Sequence, residues 1–123
     1  MARNTSPFRK TSKPTKPPAP RNTVLEQALC NAIAKRLRVS LQYEDDMLAR
    51  TFEPHAVYHT STGKVCVAGN VTANPNDYSD KLGPHNFEVG RIRSVRATEA
   101  KFIPDPRFDR HDAKYSNGIL CAV

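Results

Sequence analysis

No stretch of this sequence is apolar for long enough to span a bilayer. The first residues carry positive charge without the apolar run and small-residue cleavage site of a secretory signal. A cytoplasmic protein with no membrane partner is expected. The sequence also lacks a GxSxG elbow, a phosphate-cradling glycine loop and any acidic pair spaced for general acid and base work, so the expectation is a binding protein rather than an enzyme. Cysteine is scarce: Cys30, Cys66 and Cys121 are odd in number and far apart, with none of the paired spacing of zinc knuckles or redox motifs. They are expected to be reduced, partly buried thiols. No metal and no cofactor is expected.

Acid is missing from the first 22 residues, which hold Arg3, Arg9, Lys10, Lys13, Lys16 and Arg21. Removing these six bases from a net charge of +7 leaves thirteen bases against twelve acids, so the remainder is nearly neutral. Five of the ten prolines fall in the same stretch, and only Phe8 offers a sizeable apolar side chain. Such a segment cannot repay its ordering entropy by burial, and residues 1–22 are expected to be a disordered basic tail. Two roles suit it: a solubilising leader, or an electrostatic arm for nucleic acid.

From Thr23 the pattern is that of a folded domain. Thr23 and Glu26 form a capping-box pair, and Val24, Leu25, Ala28, Leu29, Ala32, Ile33 and Leu37 recur at helical spacing, with Lys35, Arg36 and Arg38 closing the helix. The period then falls to two: Val39, Leu41 and Tyr43 alternate with polar residues. An acidic turn at Glu44–Asp46 leads to a second strand over 48–60, in which Pro54 requires an edge or a bulge. The run 64–71 is too apolar for one wet face and reads as a central strand. A long loop over 72–84 precedes strands at 86–90 and 91–98, the latter with bulge-like spacing of Ile92 and Val95. Residues 103–123 read as a C-terminal extension lying across the surface. The expected fold is mainly β (α+β): one helix and a small five-stranded antiparallel barrel, closed to remove its edges.

The stretch "ALCNAIAKRLRVSLQYE", the "RTFEP" at Arg50–Pro54 and the "NFEVGRIRSVRATEAKF" at Asn86–Phe102 resemble, in that order, a WYL domain, an SH3-like or Sm-like barrel. The resemblance covers residues 23–102. It departs where the family's naming tripeptide should stand, since those positions are Val65, Cys66 and Val67. His85 replaces an expected arginine, and Gly90 replaces an acid. The resemblance implies a stand-alone regulatory module linked to transcription that senses nucleotides or single-stranded nucleic acid. It points to Arg50, His55, His85, Phe87 and Arg91, and Arg93, by its strand parity with Arg91, completes the expected ligand site of Arg50, His55, His85, Arg91 and Arg93.

Arg91 and Arg93 share strand parity, and planar guanidinium groups grip phosphate in pairs or stack on bases. The bland alternative for Arg91 is a salt bridge with Glu88 or Glu99. Phe87 matches the parity of Val89 and reads as core; Tyr58 suits either a stacking or a barrel-edge role. His55 and His59 have HxxxH spacing, but on a strand they stand ~13 Å apart, too far for one zinc. The competing expectation is a protein-interaction or homo-oligomerising module that pairs through exposed sheet edges.

Overall fold

The computed structural model describes residues 17–79 and 82–123; of the tail expected over residues 1–22, residues 1–16 lie outside the described residues, while residues 17–22 are placed against the domain. Helix α1 (Thr23–Lys35) is followed by strands β1 (Leu37–Tyr43), β2 (Arg50–His59), β3 (Val65–Ala73), β4 (Gly83–Glu88), β5 (Ile92–Lys101) and β6 (Ile119–Ala122). Single 3-10 turns at Val89–Arg91 and Ala113–Tyr115 punctuate the second half.

The start of α1 differs by one residue from the capping box expected at Thr23. Asn22 is the cap: its Oδ1 accepts the Leu25 N–H at 3.1 Å, as asparagine does well at this position. Glu26 turns instead to Arg21, whose guanidinium reaches it at 2.6 Å and offers a charge-assisted partner. Arg36 ends the helix in the left-handed region, φ 56°, with its N–H directed at the carbonyls of Ala32 and Ile33. Arg38 therefore belongs to β1, where it pairs with Glu53 at 2.8 Å. Of the expected apolar stripe, Leu29, Ala32 and Ile33 are buried, while Val24 in the first turn is exposed.

The strands lie in the order β4-β3-β2-β1-β5, every pairing antiparallel, with β6 joined to β2 off this path. Partner exchange along β2 organises the sheet. Residues 50–52 of β2 pair with β1, and Ala56, Val57 and Tyr58 pair with β6 on the side that β1 has left. The exchange falls at Pro54–Ala56, where the β2–β3 register shifts; Pro54 has no N–H to give to a ladder, and a bulge rotates the strand there. The bend expected at Pro54 is thus the hinge of the sheet. No ladder joins β4 to β5, so the sheet is not closed, and the expected five strands are six. Ile119–Ala122, expected to lie on the surface, is the added strand.

Alternate residues of β2 and β3 feed two apolar clusters. Phe52, Val57, Val67, Val71 and Phe87 pack with Leu29 and Ile33 of α1, whereas Ala56, Tyr58, Cys66 and Ala68 pack with Tyr115 and Phe108. The expectation of three reduced thiols is corrected. Cys30 on α1 and Cys121 on β6 form a disulfide across a sequence separation of 91. That pairing was hidden because helix and last strand meet only when β6 occupies the freed edge of β2. Cys66 remains a buried free thiol, its ionisation pushed up first by burial and then by Glu88. Among the described residues no helix is long and apolar enough to cross a membrane.

Gly69 permits the close contact of β3 with the bent part of β2. A Cβ there would collide with the Glu53 carbonyl oxygen and lie 2.7 Å from Phe52 Cζ. Because Phe52 is fully buried, little can give way. Gly69→Ala is expected to lower stability by about 2 kcal/mol in denaturant unfolding, within the range for overpacked sites; an unchanged midpoint would show that β2 and β3 separate freely.

Candidate ligand cleft and the arginine turn

The structure divides the five sequence-derived site residues into two groups. Arg50, Arg91 and Arg93 converge on the acidic turn between β1 and β2. Arg50 forks onto Asp46, with Nε and Nη2 at 2.8 and 2.9 Å from its two carboxylate oxygens, and lies over the Phe87 ring at 5.3 Å. Arg93 donates from Nη1 to the carbonyls of Glu44 and Asp46. Arg91, at the end of the 3-10 turn, donates to Glu88 at 2.8 Å, approaches Glu44 at 3.7 Å and donates to the Pro17 carbonyl at 2.9 Å. These guanidinium groups are engaged by carboxylates and carbonyls, the alternative weighed for Arg91, though with Glu44 in place of Glu99.

The same contacts place the chain ahead of α1. The Ala19 N–H donates to Glu88 Oε2 at 2.7 Å, and Pro20 and Ala19 lie against Gly90, where a side chain would meet the Pro20 carbonyl. The missing side chain at Gly90 is what lets this segment sit down.

His55 and His85 belong to a cleft of about 220 Å³ between the β3–β4 pair and the segment 105–115. His55 is 2% exposed and structural. Its Nδ1 faces the Glu53 carbonyl at 2.9 Å and its Nε2 accepts the Asp105 N–H at 2.9 Å, an arrangement that fixes the neutral tautomer with the proton on Nδ1. Phe102 and Phe108 flank the ring at 5.0 and 5.7 Å. His85, half-buried, stacks on Phe87 with its Nδ1 3.2 Å from the Gly83 carbonyl.

Residues that no sequence motif marked make the rest of the cleft. Asp105 binds Arg107 through both oxygens and accepts from Asn70 Nδ2 at 3.0 Å; the Arg107 guanidinium, ahead of its backbone N–H and Asn70, holds this carboxyl well below the usual range. Tyr115 crosses Tyr58 at right angles with centroids 4.8 Å apart. The Tyr58 hydroxyl donates to Asn86 Oδ1 at 2.9 Å, and Lys114 Nζ lies 3.5 Å from the same oxygen and over the Tyr115 ring. With its oxygen so occupied, Asn86 presents its amide NH2 as a donor. Lys114 forms no ion pair among the described residues. The signal for this set was spatial: Asn70, Asn86 and 105–115 lie on three separate stretches. No group of histidine, cysteine and carboxylate able to hold a metal occurs among the described residues.

Burial pushes the Tyr58 phenol up to about 12, with smaller contributions from Cys66 and Tyr115. Its neutral form is favoured by folding, so the associated stability is fully present below the unfolded value of 10.0 and is lost as pH rises from there through about 12. Ultraviolet titration should therefore show one phenol ionising last, a step absent from Tyr58→Phe; an unchanged profile would place Tyr58 in water. Comparison of the chain with family models, curated proteins and solved structures finds no match.

Proposed function

We propose that this chain is a WYL-like regulatory module that binds a mononucleotide reversibly, without turnover, in the cleft between β3–β4 and residues 105–115. The observation that carries the reading is Lys114: an ammonium without an ion pair among the described residues, over an aromatic face and beside the Asn86 amide, lining the cleft. A phosphate drawn to Lys114 would leave the attached base beside Asn86 and Tyr115, where amide hydrogen bonding and ring contact recognise a planar heterocycle. The cavity lies below the usual range for drug-sized ligands, so a small body is favoured. Three carboxylates, Asp105, Asp109 and Asp112, also line it and disfavour a polyanion, which ranks a mononucleotide above a single strand. Neighbour order supports the SH3-like or Sm-like reading: β5 lies beside β1, and a single helical turn links β4 to β5. A role in transcription regulation rests on the WYL resemblance.

A second reading, a protein-interaction module, is favoured by one observation. Met47, Leu48, Tyr78 and Leu82 are exposed at 86, 54, 91 and 55%. Asn76 holds Met47 and Leu48 in place, accepting both N–H groups and donating to the Leu48 carbonyl at 2.8 Å. Apolar side chains fixed outward in this way suit a protein surface.

Calorimetry with AMP, adenosine and inorganic phosphate distinguishes the readings. AMP should bind more tightly than adenosine, and Lys114→Ala should weaken AMP by about tenfold, the worth of one charge-assisted contact, while Arg91→Ala leaves it unchanged. Loss of binding in Arg91→Ala with Lys114→Ala unaffected would return the site to the arginine turn. Absence of any nucleotide binding, with dimerisation abolished by Met47→Ser, would favour the interaction module.

A further inference from the structure

We infer that the Cys30–Cys121 disulfide is a redox latch on the cleft: its reduction releases β6 and loosens the segment 103–118 that forms one wall. The ligand part of this inference rests on the cleft reading; the latch itself does not. Strand β6 has only four residues, and just three register pairs tie it to β2, with a shift among them. Two further backbone bonds flank it, Val123 N–H to the His55 carbonyl and His59 N–H to the Gly118 carbonyl. A ladder this short is expected to fray unless otherwise held. The disulfide supplies that hold by joining β6 to α1, whose Leu29 and Ile33 are anchored in the main core.

The connection from latch to cleft is continuous. Ile119 and Ala122 of β6 pack on the cluster containing Tyr58 and Tyr115, and Phe108 packs there too. Phe108 and Tyr115 face one another at 5.7 Å, and both line the cleft with Arg107 and Lys114. Between Phe102 and Ile119 the chain forms no strand, so His55, Asn70 and this aromatic cluster hold it. Both cysteines are only partly buried, within reach of a reductant. The reductant is a dithiol: one of its thiolates attacks a sulfur of the pair to form a mixed disulfide, and the second thiolate resolves it. Two electrons and two protons pass to Cys30 and Cys121, and the dithiol leaves as a disulfide. Cys66 takes no part; it is buried, and its thiol is disfavoured as a thiolate.

Hydrogen exchange on the full chain, before and after dithiothreitol, tests the latch. Exchange in residues 103–123 should accelerate by roughly tenfold on reduction while β1, β3 and β5 stay protected. Cys66→Ala should respond as the natural chain does, and Cys121→Ser should exchange fast without reductant. No acceleration, or equal acceleration across all strands, would overturn the latch; the redox comparison on the unmutated chain stands even if Cys121→Ser fails to fold. AMP calorimetry on the same two redox states separates the readings. Weaker binding after reduction supports both. Accelerated exchange with no AMP binding in either state upholds the latch and removes the nucleotide, and equal AMP affinity with unchanged exchange overturns the latch alone.

Discussion

The arrangement depends on the hydrogen bond from the Asp105 N–H to Nε2 of His55. A fully buried imidazole would ordinarily be a burden on the fold, since each ring nitrogen needs a partner. Here one nitrogen faces the Glu53 carbonyl and the other accepts from a residue fifty positions away, which fastens an otherwise strandless segment to the sheet. The bulge after Pro54 aims the ring. Without that rotation β2 would continue along β1, β6 would have no edge to join, and Asp105 would have no acceptor beneath it.

From this fastening the cleft follows. Asp105, once placed, gathers Arg107 and Asn70, and the turn at Ala113–Tyr115 brings Tyr115 onto Tyr58 and Lys114 to the mouth. The arginine turn is a separate device. There the guanidiniums of Arg50, Arg91 and Arg93 close the β1–β2 and β4–β5 connections by binding Glu44, Asp46 and Glu88, and Arg91 also seats the chain that leads into α1. Like charges so close together are tolerated because acids and carbonyls interleave them.

Much of the architecture was legible in the sequence because it is written in local periodicity. The helical spacing of Leu29, Ala32 and Ile33 and the alternation of Val39 and Leu41 both survive in the core. Pro54 marked the bend for a stereochemical reason that holds in any context. What escaped was non-local. A four-residue strand after two prolines has too little pattern to be read, and with it went the Cys30–Cys121 pairing. The site was half legible: His55 and His85 do line the cleft and the Glu88 salt bridge weighed for Arg91 does form, but the engagement of Arg50 and Arg93 by the turn at Glu44–Asp46 carried no periodic signal. Asn70, Asn86 and Lys114 belong to residue types too common on surfaces to stand out.

The most direct measurement is a through-hydrogen-bond nitrogen–nitrogen coupling between the Asp105 amide and the His55 imidazole by NMR. The account predicts a resolved coupling to an unprotonated Nε2, with the ring proton on Nδ1. A protonated Nε2 with no coupling to Asp105 would mean that the C-terminal segment is held some other way and that the cleft described above does not form.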